Sequence, residues 1–555
     1  MVETKMKHSK VGAERVCSVT MLGDKPCGRP VYPAPEHDEK QVCLMHSNDP
    51  EKSCQEFLAE FEQTLVNAEK GEDAADFAYF VFPCSDFRGK KFTPCCSFID
   101  ATFRERADFA HAIFKEGAEF YESEFKHGAD FSHARFGRET VFLHSKFDGD
   151  TSFTLASFCQ DAMFMSAKFN GKVAFSQGMF AGNALFGGAR FAENANFHLA
   201  RFAQRTDFKG ARFSRLALFS GAEFAGPADF HEARFRHDLT DRPGLDFTYV
   251  KLAHPEMVQF YRTDLGQALF HHTDISKVDF ALVEWRDRRR IERYRWRRSL
   301  LRARLALGLW TRPSFGRLKA GLMRIRSLRG SARMCLFEED VNPFGAYSLD
   351  LYPRGPDPRN YSLIAESYQQ LKRNYDGKGD YWTAGHWHYG EMEMNRLHNR
   401  WHNRWLCWLS QHFGLAALYR HASAYGESYV RPLVWLAAVM FVFAMAYPLL
   451  GWPMTTGLEL NLPDPACAKG CALNYLNYWN YQAFFNAHPA ENPTGWGGML
   501  MHSAMTSLSV AGFQRELRYM PSYPWGRLAA LVEMLLTTTL GGLFALAIRR
   551  RFKRS

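Results

Sequence analysis

Four residues near the N-terminus have the atom types and spacing of a metal site. Cys17, Cys27, Cys43 and His46 read Cys-x9-Cys-x15-Cys-x2-His, with the turn-forming stretches Gly28-Arg29-Pro30 and Pro33-Ala34-Pro35 between them. Zinc takes four nitrogen or sulfur donors in a tetrahedron, and a stretch this poor in apolar residues needs such a clamp to fold. Structural zinc is therefore the expected cofactor, with unrelated reduced cysteines as the alternative and Cys54 as a substitute ligand. His386, His388, His398 and His402 invite a second metal reading, because the last two are four apart in a helical stretch. No carboxylate is placed to complete that set, so packing or membrane-interface roles are expected of it. Cys467 and Cys471 could pair as a disulfide in an oxidising compartment. Glu533 interrupts an otherwise uncharged apolar run, where an ionisable group carries function by default. No nucleophile–base pair, phosphate-binding loop or catalytic carboxylate constellation occurs, so the chain is expected not to be an enzyme.

These side chains need elements to hold them, and the composition narrows the choice. The chain has 555 residues, 69 Lys+Arg against 59 Asp+Glu for a formal charge of +10, and 48 Phe. Its 46% apolar and 23% charged residues exclude both a disordered chain and a wholly membrane-embedded one. Cysteine is too sparse for a disulfide-stapled scaffold, and no secretory leader pattern opens the sequence, so a reducing cytosol is expected for the N-terminus. From Phe98 to Phe235, phenylalanine recurs at alternating steps of five and six, placing 26 of the 48 in one lattice of period eleven. Phe77, Phe82, Phe87 and Phe92 precede it, and a small residue stands two before nearly every lattice Phe. On an α-helix, positions five and six apart point in widely different directions and could not form one stripe. In extended chain, residues two apart share a face, and a fixed period means a solenoid.

The undecads "ADFAHAIFKEG", "ADFSHARFGRE" and "ANFHLARFAQR" resemble the pentapeptide-repeat family over roughly residues 75–280. The resemblance implies a right-handed quadrilateral β-helix with the aromatic residues stacked inside and two undecads to a coil. Six or seven coils for the strict lattice make a rod of roughly 30 Å plus its ends. Some members of that family are acidic mimics of duplex DNA. Residues 98–235 hold 17 acids and 16 bases, a near-neutral balance, so nucleic acid is not the expected partner. Looser repeats over 262–285 are expected to cap the rod.

Five domains follow: a zinc module over 1–56, the β-helix over 75–285, a basic amphipathic segment over 286–334, a helical linker over 335–428, and a membrane domain over 429–555. The basic segment has sixteen Arg and one Lys against Asp287 and Glu292, a local +15 that leaves the rest of the chain near −5. Trp285, Tyr294, Trp296, Leu300, Leu301, Leu305 and Trp310 interleave with those arginines. Such a segment can lie on an anionic membrane surface, present a solvated or protein-contacting basic face, or bind nucleic acid. In the linker, two helical stretches over 361–405 break at Asp376-Gly377-Lys378-Gly379-Asp380. They resemble the "QLK…N…GD…AG…Y-GEMEM-R" linker between pentapeptide repeats and membrane segments in bacterial proteins.

Residues 432–450 carry no charge and 528–548 only Glu533, so each can span a bilayer as a helix. Arginines before the first and after the second put both termini in the cytosol of a cell inner membrane by the positive-inside rule, with residues between the spans outside. The apolar, small-residue segment 495–513 is too short to cross and return as helices and reads as re-entrant. Between two spans it resembles the pore helix and filter of two-span potassium channels, with Thr506, Ser507, Leu508, Ser509, Val510, Ala511, Gly512 and Phe513 in the place of Thr-x-Thr-Thr-Val-Gly-Tyr-Gly. Ala511 and Gly512 stand where that family has Gly and Tyr, and Phe513 where it has the second Gly. The resemblance therefore implies a cation pore, monovalent or divalent, without implying potassium selectivity. It further implies a homotetramer in membrane lipid, gated or assembled through the rod and an unknown cytosolic protein partner. Gly541-Gly542 could bend the inner helix or allow close packing. The alternative is a non-conducting scaffold anchored by two helices.

Overall fold

The computed structural model describes residues 16–21, 25–33, 38, 40–71, 74–236, 242–287, 333–339, 360–398, 404–450, 495–512 and 524–552. The chain divides into two compact units, Met1–Lys378 and Gly379–Ser555. Most of the basic segment, the loop holding Cys467 and Cys471, His402 and Phe513 lie outside the described residues.

The first unit is a β-solenoid. One coil contributes four two-residue strands, Ala118–Glu119, Glu124–Phe125, Ala129–Asp130 and Arg135–Phe136, one to each of four faces. Each pairs in parallel with its equivalent 22 residues on, as Ala118 does with Thr140. Two undecads therefore close one coil. The four parallel sheets contain ten, eight, eight and seven strands, and nine steps in the longest give about 43 Å.

The strand pattern explains the lattice. On the first and third faces a small residue points inward and its successor outward; on the second and fourth the outward residue comes first and Phe follows it inward. Every lattice Phe from 98 to 235 is 6% exposed or less. The rings stack in columns, Phe98 on Phe120 at 4.8 Å, Phe103 on Phe125 at 4.5 Å and Phe109 on Phe131 at 4.9 Å between centroids. Neighbouring columns meet edge to face, as Phe120 and Phe131 do at 77°, so each ring satisfies both preferred aromatic geometries at once. Corners are closed by non-glycine residues in the left-handed region, among them His111, Glu122, His133 and His144. The Ala112 amide completes the turn to the Phe109 carbonyl at 3.0 Å. Glycine is required at Gly128, where φ is +78° and a Cβ would lie 2.2 Å from the Asp150 carbonyl.

Beyond Phe235 the coils lengthen, since Ala217 pairs with Leu245 and Ala228 with Val258. Residues 262–285 form the last coils, with Ala268–Leu269 and Asp279–Ala281 each the end strand of its sheet. The end itself is covered by a helix, α2 (Tyr361–Gly377), from the stretch expected to be linker. Asn374 of α2 donates to the carbonyls of Ile275 (3.0 Å) and Val278 (2.7 Å), and the Ile275 amide donates to Gln370 at 2.8 Å. Trp285 packs on Phe280 and donates to the Tyr375 hydroxyl at 3.0 Å. At the opposite end α1 (Cys54–Gly71) lays Phe57 and Phe61 against Phe77, Phe80, Phe82 and Phe87.

The second unit is helical: α3 (Tyr381–Leu397), α4 (Arg404–Phe413), α5 (Leu415–Ser423), α6 (Val430–Leu450), α7 (Gly495–Ala511) and α8 (Pro524–Phe552). Two of them contain stretches long and apolar enough to cross a membrane, Val430–Tyr447 in α6 and Leu528–Arg550 in α8. The helices α6, α7 and α8 pack on one another.

Candidate metal centre and polar bundle core

Cys17, Cys27, Cys43 and His46 converge, with their donor atoms all within 4.8 Å of one another. The bridges Val16–Pro30 and Thr20–Pro26 bring Cys17 and Cys27 together on a small antiparallel ribbon, and the turn Cys43–Ser47 supplies the other two donors. Cys27 and Cys43 sulfurs are 3.8 Å apart, and His46 Nδ1 lies 3.4, 3.7 and 3.2 Å from Cys17, Cys27 and Cys43. A tetrahedron with metal–sulfur bonds of about 2.3 Å has sulfur–sulfur edges of about 3.8 Å, so the cavity fits one ion. Hydrogen bonding from Cys43 holds the Cys27 thiol below its ordinary value against burial, with His46 and Arg29 adding to the effect, while the same contact and burial hold Cys43 above its own. A thiolate is the form that binds metal. The cluster can therefore hold a metal ion.

Its supports tie it to the rod. His46 Nε2 faces the Ala78 carbonyl at 3.3 Å, the arrangement that fixes a ligating imidazole through its second nitrogen. The Val81 amide donates to the Met45 carbonyl at 2.8 Å. Lys52, 4% exposed, donates to the carbonyls of Leu44 and Ser47 at 2.9 Å each and sits over the Phe57 ring. Arg29 joins the Cys27 sulfur to Glu60 and Thr64 of α1. None of these supports was expected from the sequence, because each acts across a tertiary contact. Cys54 is not a substitute ligand: it is joined to Cys84 in a disulfide.

Among the described residues no second metal-type cluster forms. His386 packs edge-on to Trp382, His388 lies 3.5 Å from Glu391, and His398 caps α3.

In the second unit Thr506 to Ala511 lie inside α7, which runs as one helix to Ala511, and Gly512 follows as a turn. The backbone of Thr506 to Ala511 is thus helical, where the resemblance implied a filter. The Met, Ala and Ser residues of the segment are compatible with helix, and the Leu508 carbonyl is engaged by the Gly512 amide at 2.9 Å. What α7 does present is a polar face: Ser503, Thr506 and Ser507 are buried, while Met501, Met505 and Leu508 are exposed. The hydroxyls of Tyr447 (α6) and Ser507 (α7) donate to the Glu533 carboxylate of α8, which is fully buried. Gly541 and Gly542 lie within α8 with nothing within 4 Å of a Cβ at either.

Glu393, in the linker motif, is 5% exposed and binds Arg396 at 2.9 Å, Arg420 at 3.3 Å and the Tyr425 hydroxyl at 2.9 Å, joining α3 to α5 and to the turn that follows α5. Burial works to raise this carboxyl, but Arg396 and Arg420 outweigh it and hold it below its ordinary value. In the first unit, Glu338 accepts from the Phe270 amide at 2.6 Å, and complete burial pushes its carboxyl up.

A family model of pentapeptide repeats, nine copies, matches residues 87–135. No curated protein and no solved structure matches the chain. The matched stretch carries pentapeptide repeats, and the four parallel sheets of the solenoid continue it on both sides.

Proposed function

We propose that this protein is a non-enzymatic, membrane-anchored interaction scaffold, its repeat rod presented in the cytoplasm and its second unit held in the plasma membrane. The observation that carries the reading is the inverted burial of α6, α7 and α8. Glu533, Thr537, Ser507 and Tyr447 are buried, while Val434, Phe441, Val442 and Leu535 are exposed. A water-soluble bundle has the opposite arrangement; lipid requires this one. The same-side placement of both helix ends is supported by Arg550, near the end of α8, which donates to the Tyr425 carbonyl at 3.1 Å just before α6. The N-terminal cluster is assigned structural zinc, which supplies a fixed crosslink and no chemistry of its own.

A second reading, a cation channel of several subunits, is favoured by one observation: the hydroxyl-lined face of α7 against a buried carboxylate. In that reading Glu533 positions α7, and the ion path forms only between copies. The experiment is reconstitution of the purified full chain into liposomes. The scaffold reading expects membrane association that survives high salt, no ion-dependent flux, and no fourfold assembly in detergent. Flux that follows an ion gradient from a symmetric assembly overturns it in favour of the channel.

A further inference from the structure

On the second face of the rod, Lys146, Lys168, Arg190, Arg212 and Arg234 stand directly opposite one another on successive coils. The last four are exposed. Lys146 is engaged by Asp148 at 2.9 Å, whereas Lys168, Arg190, Arg212 and Arg234 make no ion pair among the described residues. Folding does not account for this row. Like charges facing one another across adjacent strands destabilise a sheet, and a stretch with 17 acids and 16 bases had the means to alternate them. On the fourth face it does so: Arg201 pairs with Glu223, which also binds Lys251.

The surroundings of the row restrict what could lie on it. Before the three central cations come Ser166, Gly188 and Gly210, and after them Asn170, Ala192 and Ser214. The cationic groups thus stand above a smooth border of small uncharged residues. The adjoining first face carries Asp207 and Asp229 outward, so the positive stripe is a single file and does not present the broad field an anionic bilayer meets. No aromatic residue borders the three central cations to stack a base, as single-stranded nucleic acid requires. A second copy of the rod offers no free acidic file to match: the outward residues of the first face run Glu119, Val141, Met163, Leu185, Asp207, and on the third face Asp108 and Asp130 are already paired with Arg88 and Arg106.

We propose that this ladder binds an extended acidic segment of a partner protein, laid along the rod axis. The proposal rests on the scaffold reading of the rod and names the chemistry of its partner. Four coil steps span about 19 Å, the length of about six extended residues. Three or four carboxylates on one edge of such a segment meet the row, and the arginines can grip them in two-pronged fashion.

The test uses the full chain in detergent and a fluorescent peptide alternating Glu and Ser, read by anisotropy. Binding that weakens steeply with salt is expected. The double substitution Arg190→Gln with Arg212→Gln is expected to weaken it about tenfold or more, and Arg190→Lys with Arg212→Lys to retain most of it. Arg135→Gln with Arg201→Gln, on the fourth face, is expected to change it less than about twofold. Equal losses from both Gln doubles would assign binding to the arginine-rich segment 288–332 and overturn the proposal. So would a ladder double that leaves peptide binding unchanged, or one that weakens binding of oligothymidylate or phosphatidylserine vesicles while sparing the peptide. Because Arg190 and Arg212 make no ion pair among the described residues, unchanged circular dichroism is expected of both ladder doubles. Failure here leaves the membrane and flux results, and hence the scaffold reading, standing on their own.

Discussion

His46 is held through both of its ring nitrogens, one toward the three cysteine sulfurs and one toward the first coil, so metal occupancy and rod-end geometry are one equilibrium. Elemental analysis of the purified chain is expected to return one zinc per molecule, and Cys43→Ser to abolish it while raising the count of titratable thiols in the remaining cysteines. Protein that binds no stoichiometric metal yet keeps the N-terminal ribbon would end the zinc assignment. Glu393 makes a separate prediction. Its folded value is lowered, so its stabilisation is present above the ordinary carboxyl value of 4.5 and is lost as pH falls through the lowered one. Thermal unfolding of the second unit should therefore shift down in acid in the native chain, and Glu393→Gln should flatten that dependence while lowering stability at neutral pH by about 3 kcal/mol. The metal ligands were legible because donor types and spacing reside in the sequence itself. Glu393, Lys52 and Arg29 were not, since a charged side chain becomes structural only when a distant element buries it.

Among the elements, the solenoid was almost fully readable, because a two-residue strand with an invariant inward ring leaves its period in the chain. Each Phe supports two neighbours in its column, and the core has no room to collapse around a gap. Phe142, stacked between Phe120 at 4.7 Å and Phe164 at 4.9 Å, tests this. Phe142→Ala is expected to cost about 3–5 kcal/mol, read as a shift of the urea midpoint at unchanged slope, and Phe142→Leu markedly less. A cost under about 1 kcal/mol would mean the columns do not act as a continuous core. The helix α7 shows the reverse case. Its composition fits a helix or a filter equally well by pattern, and the glycines that would force the second form are missing at Ala511 and Phe513. Likewise α2 read as linker, because nothing local marks Gln370 and Asn374 as groups that satisfy the last coil.

For the molecule as a whole, the net charge of +10 conceals strong sorting: a +15 stretch between rod and helices, and a five-cation file on a rod that is near-neutral only with that file included. A parallel solenoid also has two open ends, each a row of unpaired strand edges identical in spacing to the next coil. In this chain both are occupied, one by α1, the metal turn and the Cys54–Cys84 bridge, the other by α2 and Trp285. Those end pieces set the length of a stack that its own repeat would otherwise let grow without limit. The metal cluster is thereby a terminator as much as a clamp: stripped of it, the rod would hold a template for end-to-end joining of one molecule to the next.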